Sequence, residues 1–112
     1  MTCMNIEQLI LASIADDWLS DYSIQLDYRS ECSLDSEEAF ATMVPRLADW
    51  IRSGVVIPGD MLDGFQPWKG NPDEMADRFA AAASRLAEIN RPGEICWFDL
   101  GPAAREAPAT SS

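Results

Sequence analysis

Trp50-Ile51-Arg52-Ser53-Gly54-Val55-Val56-Ile57-Pro58-Gly59-Asp60 decides the fold, because a helical pattern ends there at a glycine and passes at once into a β-branched run. Upstream, Phe40, Met43 or Val44, Leu47 and Ile51 recur at helical spacing. Gly54 can supply the positive φ that the position after a helix end favours. Val55-Val56-Ile57 is short and β-branched, which predicts a strand, and Pro58-Gly59-Asp60 predicts a turn that ends it.

Working outward toward the N-terminus, Asp35-Ser36-Glu37-Glu38 is a capping box that starts the long helical stripe. Pro45 falls inside the stripe, which keeps its phase across the proline, so one kinked helix over about 36 to 53 is expected. Asn5-Ile6-Glu7-Gln8 has the same capping pattern, and Ile6, Leu9, Ile10, Ile14, Trp18 and Leu19 predict a helix from about 5 to 20. Between them, Tyr22, Ile24, Leu26 and Tyr28 alternate like a strand, while Ile24 and Tyr28 are also an i,i+4 helical pair. Periodicity leaves residues 21 to 30 open.

Toward the C-terminus, Met61 to Gly70 reads as an ordered loop pinned by Phe65 and Trp68. Asn71-Pro72-Asp73-Glu74 starts a helix expected to run to about Asn90, before Pro92-Gly93. Glu94-Ile95-Cys96-Trp97-Phe98-Asp99-Leu100 is a second strand, and Val55 to Ile57 is its natural partner. From Gly101 onward the chain is rich in Pro, Ala and Ser and is expected to fray. The expected organisation is a single domain over 1–101 followed by a flexible tail over 102–112.

Helix, short second element, long helix, strand, insertion, strand is the element order of a winged-helix domain. Leu11 to Trp18, Leu47 to Val56, Pro58-Gly59-Asp60 and Gly93 to Leu100 together resemble a group of small, mostly uncharacterised bacterial winged-helix-like proteins. In that group an Asp-Asp-aromatic sequence closes the first helix, here Asp16-Asp17-Trp18, and a Trp-Phe pair lies on the last strand, here Trp97-Phe98. The resemblance implies helix rather than strand for residues 21 to 30 and carries no catalytic residue. The expected fold is therefore α+β and mainly helical, with three or four helices and a small antiparallel β-hairpin wing.

Charge narrows the function. The 112 residues carry a net charge of −11, and residues 1 to 40 alone carry −8. Such a field repels phosphate backbones and anionic lipid and speeds encounters with basic partners. A DNA-reading helix needs exposed basic and amide side chains, whereas the 36 to 53 stripe offers Arg46 and Arg52 against Glu37, Glu38 and Asp49. No histidine is present, which removes the usual general base and the commonest imidazole metal ligand. Cys3, Cys32 and Cys96 are odd in number and widely spaced, as expected of free thiols in a reducing cytoplasm. No apolar run approaches membrane-spanning length, and the N-terminus lacks a basic leader, so neither insertion nor export is expected.

Chemistry is thinly represented. Adjacent carboxylates such as Asp16 and Asp17 diverge by about 100° on a helix, so they do not converge as a dyad. Gly59-Asp60-Met61-Leu62-Asp63-Gly64 lacks the spacing and terminal Glu of an EF-hand. No phosphate-cradling loop or nucleophile elbow occurs. The expectation is a non-enzyme without metal or cofactor. Of the four tryptophans, Trp50 and Trp97 are expected in the core and Trp68 at the surface. With Asp16, Asp17, Asp21, Asp27 and Glu31, Trp68 would then form a binding face for a basic protein, as in an immunity protein or antitoxin that occludes a nuclease toxin. Two alternatives are a winged-helix transcriptional regulator and a homodimeric interaction module.

Overall fold

The computed structural model describes residues 5–106. Its element order is α1 (Ile6–Asp16), β1 (Leu19–Ser20), α2 (Asp21–Cys32), α3 (Ser36–Arg52), β2 (Val56–Met61), β3 (Phe65–Pro67), α4 (Pro72–Ala83), β4 (Trp97–Leu100) and α5 (Pro102–Glu106). The fold is α+β, with one antiparallel four-stranded sheet ordered β1-β4-β2-β3. The long helix α3 packs between α2 and α4. Ile10, Ile14, Ile24, Met43, Phe79 and Phe98 are among the side chains buried between helices and sheet.

The central junction forms as its residues dictate. Pro45 lies inside an unbroken α3. Its end is a Schellman motif: the Val55 N–H donates to the Trp50 carbonyl at 2.8 Å, the Gly54 N–H donates to Ile51 at 3.1 Å, and Gly54 sits at φ +81°. β2 then pairs with β4 as expected, with Val56 opposite Leu100 and Ile57 opposite Asp99. Both bonds of the Asp35/Glu38 and Asn71/Glu74 capping boxes are present.

Several expectations are corrected. Pro58-Gly59-Asp60 is not a turn but the middle of β2, because the reversal comes later at Asp63 and Gly64, which both have positive φ. Met61 to Gly70 is accordingly a hairpin arm plus a connection, not a loop throughout. α1 stops at Asp16, and Asn5 makes no side-chain cap bond; Leu19 and Ser20 are drawn into pairing with Phe98 and Trp97 instead. Residues 21 to 30, which periodicity left open and the resemblance implied to be helical, are helical, started by the Ser20 hydroxyl accepting from the Ser23 N–H. α4 ends at Ala83, well short of Asn90.

The segment from Pro102 begins as α5 rather than fraying. The Ala103 N–H donates to the Gly54 carbonyl at 3.0 Å, and the Gly101 N–H donates to Val55 at 2.8 Å. The remainder of the expected tail, 107–112, lies outside the described residues. Cys32 is disulfide-bonded, which overturns its reading as a free thiol, while Cys96 is free and buried. Among the described residues no helix is long and apolar enough to cross a membrane.

Candidate protein-interaction surface

The five carboxylates predicted to face a partner divide sharply. Asp16 and Asp17 are exposed at the end of α1; Asp27 is half-buried and Glu31 exposed on α2. Asp21 does not belong with them. It is fully buried (0% exposed), and its carboxylate works inside the fold. Oδ1 accepts from the N–H groups of Tyr22 and Gly93, at 2.7 and 2.8 Å, and Oδ2 from those of Ile95 and Cys96, at 2.7 and 3.3 Å. Burial pushes this carboxyl above its ordinary value against the pull of these donors.

Gln25, one helical turn further on, completes the same job. Its amide donates to the Ile89 carbonyl at 2.9 Å and accepts from the Ile89 N–H at 2.7 Å. Asp21 and Gln25 thus clamp the irregular segment between α4 and β4 onto α2. Both are structural residues: Asp21, which its charge had placed on the partner-binding face, is withdrawn into the fold, and Gln25 carried no sequence signal of its role.

The tryptophans exchange the roles expected of them. Trp68 is buried (7% exposed): its Nε1–H donates to Asp60 Oδ1 at 3.3 Å, and the Arg78 guanidinium lies 3.8 Å over its ring centroid. Trp18 is the exposed one (41%), stacked on Phe65 with ring centroids 5.8 Å apart and 17° between planes. The stack depends on the hairpin, which brings Phe65 back beside Gly59. A Cβ at Gly59 would sit 2.6 Å from Phe65 Cζ and 2.5 Å from the Gln66 carbonyl oxygen. The Asp63-Gly64 dipeptide was the available signal, since Asp-Gly between strand residues marks a tight hairpin.

Among the described residues, arginines pair with some of the exposed acids and leave others without an ion pair. The ion pairs seen among the described residues join Arg46 to Glu7 at 2.6 Å, and Arg52 to Asp73 and Asp77 at 3.3 and 3.6 Å. Asp16, Asp17, Asp27 and Glu31 are in none of them. On α2 the Glu31 charge, one turn from Asp27, adds to burial in raising the Asp27 carboxyl. A cavity of about 410 Å³ opens between α1, α2 and α3, lined by Tyr28, Thr42 and Asp49, with the Arg46–Glu7 pair at its wall. Burial is the largest cause raising the Tyr28 hydroxyl. Among the described residues no group of three or more His, Cys, Asp or Glu side chains could hold a metal ion.

Comparison with protein-family profiles, with curated proteins and with solved structures finds no match for this chain. Functional inference therefore rests on the surface itself.

Proposed function

We propose that this chain is a non-enzymatic acidic binding module that neutralises a basic protein partner, in the manner of an immunity protein or antitoxin occluding a nuclease-type toxin. The observation that carries this reading is a set of exposed or half-exposed carboxylates, Asp16, Asp17, Asp27 and Glu31, with no ion pair of their own among the described residues. Carboxylates left to solvent, at a net charge of −11, attract a Lys/Arg surface and steer its approach. Asp21 and Trp68 take no part, since both are occupied inside the fold; Trp18 is the accessible aromatic anchor in their place. Occlusion without turnover is the mechanism: the carboxylates occupy the basic groups with which the partner would hold nucleic acid.

The order α1-β1-α2-α3-β2, with β1 and β2 on either side of β4, supports a winged-helix-like ancestry for the module. A transcriptional regulator on that scaffold is the weaker reading, because both α3 bases are already engaged: Arg46 by Glu7 and Arg52 by Asp73 and Asp77. A cytoplasmic site of action, expected from reduced thiols, has lost that argument at Cys32.

The test is a pull-down with the full chain at low and at high salt, set against the Asp16→Lys/Asp17→Lys variant. Recovery of a basic protein at low salt, weakened by salt and by charge reversal, is expected. Recovery of no basic protein, or binding indifferent to the reversal, sinks the reading.

A further inference from the structure

Trp18 and Phe65 form an aromatic stack on the side of the sheet away from its buried face. Along β2, Val56 and Pro58 are buried while Ile57 and Met61 are only half-buried, and on β4 the buried Phe98 lies between half-buried Trp97 and Asp99. Extending the β1–β4 register by one residue, from Leu19 opposite Phe98, places Trp18 beside Asp99 on this outer side. Phe65 lies over Gly59, which has no side chain to compete for the space. One face of the indole rests on Phe65, and the residue is still 41% exposed. Burial in the core is therefore not what holds it there.

Carboxylates precede it in the chain. The Asp17 carboxylate accepts from the Trp18 backbone N–H at 2.8 Å, and Asp16 and Asp17 are both exposed immediately before Trp18 in the chain. Elsewhere in the molecule an arginine already sits over an indole: the Arg78 guanidinium carbon lies 3.8 Å from the Trp68 ring centroid, and Asp60 accepts from that indole's N–H.

We propose that the exposed Trp18 indole, backed by Phe65 and preceded in the chain by the exposed Asp16 and Asp17, seats an arginine side chain of the basic partner. The inference rests on the reading of the chain as a binder of a basic protein and names the point of contact. Arginine suits the site better than lysine. Its planar guanidinium stacks on an indole while its N–H fork engages a carboxylate, whereas an ammonium is a compact and strongly hydrated point charge. A second copy of the chain carries the same net charge of −11 and is repelled. Nucleic acid would meet the same repulsion.

The experiment uses two synthetic peptides of equal length and charge, Arg alternating with Gly and Lys alternating with Gly, titrated into the full chain. The indole N–H resonance of Trp18, assigned by its loss in Trp18→Phe, reports the site. The Arg peptide is expected to shift that resonance and to bind about fivefold tighter than the Lys peptide. Asp16→Asn/Asp17→Asn, which leaves the aromatic stack untouched, is expected to reduce the preference as well as the affinity. Equal binding of both peptides with the Trp18 resonance unmoved overturns the arginine site and leaves the acidic-binder reading standing. Binding of neither peptide overturns both. Sedimentation showing a dimer that Trp18→Leu abolishes would assign the face to a second copy and also overturn the site.

Discussion

At Asp21 a single carboxylate accepts four backbone N–H groups from its own helix start and from a strand lead-in more than seventy residues away. Both oxygens are fully subscribed as acceptors, so an amide in place of either would point N–H at N–H. Asp21→Asn is therefore expected to cost about 3 kcal/mol, the loss for a buried charged hydrogen-bond network left unsatisfied, read as a lower urea midpoint at unchanged m-value. A change within about 0.5 kcal/mol, the usual range for surface positions, would mean that the clamp is not formed. Ser33 presents the opposite case, a residue of the surface with φ +57° at the end of α2, where a glycine is the commoner choice.

Among the elements, the segment from Ser84 to Cys96 has no helix or strand of its own and depends on α2. Gln25 matches both backbone groups of Ile89 as a neighbouring strand would, and Ile89 and Cys96 fill the core beneath. Gln25→Leu keeps the volume but leaves a buried N–H and a buried carbonyl unpaired, at about 1–3 kcal/mol for an unsatisfied group. Amide hydrogen exchange is expected to accelerate over residues 84–96 before it does so in α3. Uniform acceleration throughout the chain would show that the segment does not open as a separate unit. Helix α4 stops at Ala83, and the chain beyond it meets Gln25 at Ile89 and Asp21 at Gly93, Ile95 and Cys96.

For the molecule as a whole, the concentration of negative charge makes stability depend on pH in a definite sense. The Asp27 carboxyl lies above its ordinary value, chiefly through burial, with Glu31 adding to the shift. A raised carboxyl binds its proton more tightly in the folded than in the unfolded chain, so Asp27 favours the folded state as pH falls through the window just above the normal carboxylate range, and loses that contribution as pH rises. Thermal unfolding is expected to show a higher Tm near about pH 5 than near neutrality, with the rise flattened in Asp27→Asn. A Tm that falls steadily on acidification from neutrality would contradict this balance. The same repulsion predicts that added salt stabilises the free protein while weakening its hold on a basic partner.

The sequence alone determined the features set by neighbours along the chain. Capping boxes at Asp35 and Asn71, the glycine stop at Gly54, the β-branched run after it and the acidic N-terminal third are local or additive properties, and each was legible without coordinates. The pairing of the Val55 to Ile57 run with the late aromatic strand was legible too, because few other strands were on offer. Tertiary structure alone decided which polar and aromatic side chains are used inside. Asp21 and Asp17 look alike in the sequence, yet Asp21 lies where donors from 93 to 96 converge and Asp17 lies where the chain leaves the core. Trp68 is drawn in by Arg78 and Asp60, while Trp18 is held out on Phe65, because the Asp63-Gly64 reversal folds the hairpin across Gly59. Burial depends on contacts distant in sequence, and charge and periodicity carry no record of them.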